Sequence, residues 1–144
     1  MLTGRICTRV VATAVPTETA RAAAERMASQ GVGTLVVLDP VKHAPKGVLT
    51  DRDLVVRCLA PGKDPEAMTV SDVMSTPVVS IDDEAPVEVA LEKMARSGIR
   101  RLVVTGGDGG LIGLISLDDA LELVVEEMSA IGRLLERQAP HVAV

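Results

Sequence analysis

Two short stretches of this 144-residue chain combine residue types that can bind a nucleoside phosphate. Residues 47–53 and 113–119 both follow the pattern Gly-x-x-[Ser/Thr]-x-x-Asp, in which a short apolar strand leads into a hydroxyl residue and a helix. A hydroxyl group at a helix N-terminus can donate a hydrogen bond to a phosphate. A carboxylate one turn later can accept hydrogen bonds from both hydroxyls of a ribose, and glycine lets a ligand approach the backbone. The candidate ligand-binding residues of the two motifs are Gly47, Thr50, Asp53, Gly113, Ser116 and Asp119.

The same motif also has a purely structural interpretation. The hydroxyl and the carboxylate can form a variant of the capping box, which satisfies N–H groups of the first helical turn and complements the positive helix end. Gly47 and Gly113 would then only allow a strand to approach a helix closely. One copy of the motif alone favours this interpretation, whereas two copies at equivalent places favour ligand binding.

The two motifs belong to an internal repeat. A shift of 67 residues lays residues 27–31 (Met-Ala-Ser-Gln-Gly) on residues 94–98 (Met-Ala-Arg-Ser-Gly), and a shift of 66 lays the first motif on the second. We therefore predict two homologous domains, residues 1–66 and 67–144, each with the element order β-α-β-β-α. Because two repeats are too few for a solenoid, we expect the halves to pack face to face.

Apolar periodicity and turn residues indicate where the elements of each half lie. The first half is predicted to contain an entry strand at 10–15, a helix capped by Thr17 or Thr19 and ended by Gly31, strands at 33–38 and 47–50, and a helix from Asp51 that Pro61 stops. The second half is predicted to contain a helical turn at 71–74, an entry strand at 78–81, a helix ended by Gly98, and strands at 99–104 and 111–116. The helix after the first motif is expected to bury Leu54, Val55, Cys58 and Leu59.

The last predicted helix begins near Leu117 and continues to about Gln138, which is longer than its domain requires. Its apolar stripe consists of Leu121, Val124, Val125, Met128, Ile131 and Leu135. The stripe can pack back on its own chain or meet the same helix of a second chain. Its length favours self-association, and we predict a homodimer.

Composition restricts the possible classes of function. Hydrophobic residues make up 47% of the chain, but none of them is Phe, Tyr or Trp. The core must therefore be aliphatic, and no such aromatic ring can stack on a ligand. A net charge of −5 disfavours nucleic acid, whose phosphates require clustered basic residues. No apolar run approaches the about 20 residues that cross a bilayer, and the N-terminus lacks the apolar core of a signal peptide. We expect a soluble, cytoplasmic protein without a membrane partner.

The sequence contains no evident catalytic or metal-binding constellation. His43 and His141 are far apart and are not accompanied by clustered cysteines or carboxylates, so no metal site is predicted. The two cysteines do not make a disulfide framework, and a reduced protein is expected. Cys58 fits a packed core better than a reactive thiol, while the role of Cys7 stays open. Without a nucleophile–base pair, an enzyme is not expected.

Several sequence features occur twice and in the same order. They are the entry segments 7–11 and 73–78, the helix ends 27–31 and 94–98, the Leu-Val-Val strands 35–37 and 102–104, and the turns 47–54 and 113–119. By these features, nearly the whole chain resembles a tandem pair of CBS domains (cystathionine-β-synthase domains). The resemblance implies an α/β (α+β) fold in which two β-α-β-β-α repeats pack in pseudo-twofold symmetry through their sheets, with an extended C-terminal helix.

The resemblance also implies two clefts between the repeats that bind adenosine compounds such as AMP, ADP, ATP or S-adenosylmethionine. By match to the family motif, the two motif aspartates would hold ribose hydroxyls, and Thr50 and Ser116 would contact phosphate. Thr13 and Ser80, at equivalent entry-strand positions, would contact the base or phosphate.

Basic residues complete the ligand contacts that the resemblance implies. Arg100 and Arg101 stand where family members often carry phosphate ligands, although a solvated strand end is an equal interpretation. The first half has Gly33 and Thr34 there, so its cleft is expected to lack that charge. Arg52 could also reach a phosphate, or simply pair with a neighbouring carboxylate or with solvent.

Two functions therefore follow from the sequence. In the first, the chain is a regulatory module that senses an adenine nucleotide, requires no cofactor and signals to a partner protein. In the second, it is a dimeric interaction protein with vestigial, empty clefts, and its two motifs serve only as helix caps.

Overall fold

The computed structural model describes residues 1–139 and contains two three-stranded sheets that are built in the same way. The strands are β1 (Thr13–Ala14), β2 (Thr34–Leu38) and β3 (Pro45–Thr50) in the first sheet, and β4 (Ser80–Asp82), β5 (Arg101–Thr105) and β6 (Leu111–Ser116) in the second. The helices are α1 (Thr3–Ile6), α2 (Ala20–Gln30), α3 (Asp51–Leu54, continued by a π-helical turn over Val55–Leu59), α4 (Val70–Val73), α5 (Val87–Ser97) and α6 (Leu117–Gln138). The predicted order β-α-β-β-α is confirmed in both halves, and each half also begins with a short helix.

The two sheets share one topology and one register. In each sheet the first strand runs parallel to the second, and the second runs antiparallel to the third. Leu35 lies opposite Leu49 in the first sheet, and Leu102 lies opposite Ile115 at the equivalent place in the second. The three central residues of β2 and of β5 are buried, as expected for strands that are covered on both faces.

Helices α2 and α5 are fixed at their ends by residues that the sequence indicates. Thr19, rather than Thr17, caps α2, and its side chain accepts a hydrogen bond from Ala22 N at 3.0 Å. Gly31 and Gly98 end the two helices with φ of 64° each, a left-handed conformation that favours glycine. The buried face of the two helices consists of Ala20, Ala23 and Met27 in α2, and Val87, Ala90 and Met94 in α5.

The structure corrects two details of the predicted elements. The entry strands are shorter than predicted, since β1 pairs with β2 only at Val36 and Val37. In the helix after the first motif only Leu54 and Cys58 are buried, whereas Val55 and Leu59 are 52% and 62% exposed. Each exposed residue lies about a quarter of a turn beyond a buried one, which is enough to bring it into solvent.

Each half of the chain places its short first helix and the entry segment that follows, residues 3–11 and 70–78, against the core of the other half. The buried Thr3 donates from its hydroxyl to the Asp82 carbonyl at 2.8 Å, and Ile6 packs against the second core. In return, Val70 and Val73 of α4 are fully buried in the first core. Neither core is formed by one half of the chain alone. The division of the chain into domains between residues 66 and 67 rests on the sequence repeat and stays a prediction.

The final helix has the predicted bounds and an exposed apolar face. It has 22 residues and is therefore about 33 Å long, and Ala120 is its one buried residue among those described. The exposed apolar residues are Leu121, Val124, Val125, Met128, Ile131, Leu134 and Leu135, each between 45% and 66% accessible. The alternative in which this stripe packs back on its own chain is therefore wrong.

Candidate functional site

Both motifs form complete capping boxes at the start of a helix. Thr50 Oγ1 accepts a hydrogen bond from Asp53 N at 3.1 Å, and Asp53 Oδ2 accepts one from Thr50 N at 2.9 Å. Ser116 and Asp119 repeat this exchange at 3.2 and 2.7 Å. The helix-cap interpretation is therefore confirmed. The cap uses only Oδ2 of each carboxylate, so Oδ1 is free of the cap and ligand binding is compatible with it.

The first motif borders a cavity of about 370 Å³, which we call the Asp53 cleft. Its lining residues are Thr34, Val48, Thr50, Asp53, Ser75, Pro77, Val78, Val79, Ile99, Arg100, Arg101, Val103 and Leu114. The motif comes from the first half of the chain, whereas the hydroxyl of Ser75, the apolar entry segment and the two arginines come from the second half. The cleft thus lies between the two repeats.

The second motif borders a cavity of about 330 Å³, which we call the Asp119 cleft. Its lining residues are Thr8, Val10, Val11, Ala12, Gly31, Val32, Gly33, Thr34, Arg101, Leu114, Ser116 and Asp119. Thr8 and Val32 are the repeat equivalents of Ser75 and Ile99 in the other cleft. The two cavities are therefore equivalent sites that the repeats generate between them.

Asp53 is held from three sides. Its carboxylate caps α3, both of its oxygens lie 3.5 Å from the hydroxyl of Ser75, and Oδ1 lies 3.8 Å from Nη2 of Arg57. Arg57 Nη1 also donates to the carbonyls of Val73 and Met74 at 2.9 Å each. Arg57 therefore ties the motif helix to the entry segment that forms the opposite wall of the cleft.

Six of the residues predicted from the sequence line a cleft, and five do not. The lining residues are Thr50, Asp53, Arg100, Arg101, Ser116 and Asp119. Thr13, Ser80 and Arg52 lie outside both cavities. Thr13 and Ser80 instead use their backbone carbonyls to accept hydrogen bonds from Arg26 and Lys93.

Gly47 and Gly113 also lie outside the cavities, and chain packing explains why they are glycines. A Cβ atom at Gly113 would lie 2.5 Å from the carbonyl oxygen of Thr8, and one at Gly47 would lie 3.0 Å from that of Ser75. The exchanged entry segments cross β3 and β6 at these points, and the glycines allow that approach.

The sequence did not indicate the residues that the exchanged segments bring to the clefts. Thr8 and Ser75 occupy equivalent positions in the repeat and each faces the other half's motif across a cavity. The 67-residue shift relates them, but local sequence patterns do not reveal that their segments change places.

Arginine charge is not divided between the clefts as the sequence suggested. Arg101 lines both cavities, so the cleft with Gly33 and Thr34 also contains a basic side chain, contrary to the prediction. Arg100 lines only the Asp53 cleft, and its guanidinium lies 3.7 Å from the Asp118 carboxylate. Both side chains of this pair are about 70% exposed, so solvent screens it and a ligand can compete for the arginine.

Cys7 lies beside the second motif, since a Cβ atom built at Gly113 would be 2.9 Å from its Sγ. Burial raises the pKa of the Cys7 thiol, and the nearby positive charge of Arg9 opposes that effect only in part. The thiol is therefore protonated at neutral pH and is a poor nucleophile. Among residues 1–139, no group of three histidine, cysteine or carboxylate side chains could hold a metal ion. His141 lies outside the described residues.

Comparison with known proteins defines the class of protein. The family profile described as the CBS domain matches residues 4–59 and 70–126. The chain therefore belongs to the CBS domain family, as the repeated sequence features indicated. Within residues 1–139, no helix combines the length and apolar character that crossing a membrane would require.

Individual relatives agree with this assignment. The chain is 38% identical to the CBS domain-containing protein YhcV of Bacillus subtilis over 122 residues, which cover 85% of this chain and 82% of YhcV. It is 37% identical to the uncharacterized protein MK0525 of Methanopyrus kandleri over 120 residues, but spans only 61% of that protein's length. A CBS domain protein of Pyrobaculum aerophilum, PAE2072, was solved in complex with AMP; it superposes with a TM-score of 0.74 at 30% identity and covers 87% of this chain and 99% of its own.

Proposed function

We propose that the chain is a regulatory module that binds an adenosine compound in the clefts between its repeats and signals occupancy to a partner protein. One observation carries the proposal: each of two equivalent cavities is lined by an aspartate that caps a helix with one carboxylate oxygen and leaves the other oxygen outside the cap. Cavities of this size are typical of small-molecule sites. The AMP complex of PAE2072 supports the choice of an adenosine ligand.

The lining of the Asp53 cleft fits the three parts of an adenine nucleotide. The ribose hydroxyls would donate to Asp53 Oδ1, which has only long contacts with Ser75 and Arg57. The adenine would lie against Val79 and Ile99, since the chain has no aromatic residue to stack on it. The phosphate would accept hydrogen bonds from the arginines at the start of β5.

Calorimetric titration tests this proposal. AMP, ADP, ATP and S-adenosylmethionine are titrated into the wild type and into Asp53→Asn and Asp119→Asn, which keep a side-chain oxygen for the helix cap. Asp72→Asn is the matched control, because Asp72 forms a capping box with Thr69 outside both clefts. We expect saturable binding to the wild type and to Asp72→Asn, and loss of a site in one or both cleft variants. Equal binding to all four proteins contradicts the proposed site.

The alternative function is an interaction protein with empty clefts. It is favoured by the capping boxes, because they give Thr50 and Ser116 a complete structural role without a ligand. Thermal unfolding separates the two functions. A ligand at 100 times its dissociation constant stabilises the folded state by about 2.7 kcal/mol, whereas empty, vestigial clefts give no shift of the melting temperature with any of the four compounds.

We also propose that the chain forms a homodimer through α6. Leu121, Val124, Met128, Ile131 and Leu135 recur at alternating intervals of three and four residues, the spacing of a coiled-coil seam. These side chains are exposed, and nothing in the described part of the chain covers them. A second copy of the chain presents the same seam, and pairing of the two helices would bury both seams.

A cytoplasmic location and the identity of the regulated protein stay predictions.

A further inference from the structure

Among their equivalent lining positions, the two clefts differ in charge at one pair. Position 100 is arginine in the Asp53 cleft, whereas the equivalent position 33 is glycine in the Asp119 cleft. The other polar positions of the motifs are retained. Each cleft is lined by the helix-capping aspartate, by the hydroxyl residue of the motif and by Ser75 or Thr8 of the entry segment. The difference is therefore one of charge rather than of the ribose-binding groups.

A second observation adds to the difference in charge between the two clefts. Each of the two positions lies next to a carboxylate at the start of the motif helix. Arg100 lies 3.7 Å from Asp118 at the start of α6, whereas a Cβ atom built at Gly33 would lie 3.0 Å from Asp51 Oδ2 at the start of α3. Within residues 1–139, Asp51 forms no ion pair. Asp51 is exposed and does not itself line the Asp119 cavity. The edge of that cleft at Gly33 therefore lies beside a carboxylate without an ion pair, whereas the equivalent position of the Asp53 cleft carries an arginine.

Arg101 does not remove the imbalance, because it borders both cavities. The Asp119 cleft is therefore lined by one arginine, Arg101, and the Asp53 cleft by two, Arg100 and Arg101.

We infer that the two clefts divide adenosine ligands by charge. The Asp53 cleft selects adenosine with a 5′-phosphate, and the Asp119 cleft selects adenosine with an uncharged or cationic 5′ group. This inference rests on the proposed function and names the ligand class of each site. A guanidinium binds a phosphate oxygen pair in a bidentate manner, whereas an unpaired carboxylate repels phosphate and attracts a cation.

Calorimetry with three probes tests the division. AMP carries a phosphate, adenosine is uncharged and S-adenosylmethionine carries a sulfonium cation. We expect Asp53→Asn to abolish AMP binding and keep the S-adenosylmethionine site, and Asp119→Asn to do the reverse. We expect the affinity for AMP to fall steeply as the salt concentration is raised, because AMP binding depends on ion pairing. The affinity for S-adenosylmethionine is not expected to show the same dependence on salt.

The arginine variant gives the sharper measurement. Arg100→Ala is expected to weaken AMP binding about tenfold, the effect of losing one charge-assisted hydrogen bond, and to leave adenosine binding within about twofold. Arg96→Ala is the matched control, since Arg96 is an exposed arginine on α5 outside both clefts. Melting temperatures of the variants confirm that they fold.

Two kinds of failure are distinguishable. If none of the three probes binds the wild type, the division of ligands fails, and if ADP and ATP do not bind either, the proposed function fails with it. If AMP binds but its site is lost in Asp119→Asn, or if Arg100→Ala weakens adenosine as much as AMP, the proposed function stands and the division of ligands is overturned.

Discussion

At the scale of single residues, Asp53 and Asp119 have a structural role that leaves one carboxylate oxygen available for the proposed ligand. Each gives Oδ2 to a helix cap and leaves Oδ1 outside it. A sequence motif cannot separate the two roles, because the capping box and the ribose contact require the same residue types. The helix cap could be predicted from the spacing alone, whereas the cleft requires segments distant in sequence, such as those of Thr8 and Ser75.

The contribution of the helix cap itself is measurable. Thr50→Ala removes the hydroxyl that accepts from Asp53 N, and we expect the free energy of unfolding to fall by about 1 kcal/mol. Urea unfolding followed by circular dichroism measures the loss. Thr50→Ser keeps the acceptor and should unfold like the wild type; an equal loss in both variants would show that the methyl group, not the cap, is responsible.

Cys7 gives a prediction for alkaline pH. Burial raises the pKa of its thiol, so the folded protein holds this proton more tightly than the unfolded chain does. The resulting stabilisation is complete below the unfolded pKa of about 8.5 and is lost as the pH rises through the folded pKa. We expect the free energy of unfolding to decline more steeply between pH 8 and 10 in the wild type than in Cys7→Ala. Parallel pH profiles would contradict this.

At the scale of elements, the long periodic helices and the hairpin strands could be predicted closely, and the short entry strands could not. Helix α6 and strand β6 have their predicted bounds, because apolar periodicity and a glycine-rich loop mark them. Strand β1 shrinks to two residues, since its length depends on pairing with β2 rather than on its own residues. The exposure of Val55 was missed because it depends on which face of α3 meets the sheet.

The exposed stripe of α6 predicts a dimer that one charge can disrupt. Met128 is 66% exposed in the middle of the stripe, so Met128→Glu would place a carboxylate inside the proposed seam. Size-exclusion chromatography with light scattering should find a dimeric wild type and a monomeric variant. Ala130→Glu adds the same charge on the opposite side of the helix and should stay dimeric. A monomeric wild type, or a dimeric Met128→Glu, would exclude this interface.

At the scale of the whole molecule, the exchanged entry segments connect the cores of the two repeats. Ile6 packs against the second core, although it belongs to the first half, while Arg5 beside it is exposed. We therefore expect a single unfolding transition, and a lower melting temperature for Ile6→Asp but not for Arg5→Asp. Two separate thermal transitions in calorimetry, or equal effects of the two substitutions, would contradict the coupling.

The same exchange has a consequence for engineering. A chain cut in the loop after Leu59 gives two fragments, and each fragment carries the segment that completes the other's core. Each fragment alone would lack part of its core, which the other fragment supplies. We therefore expect the two fragments to associate, and because the walls of each cleft come from both fragments, the proposed ligand would favour their reassembly.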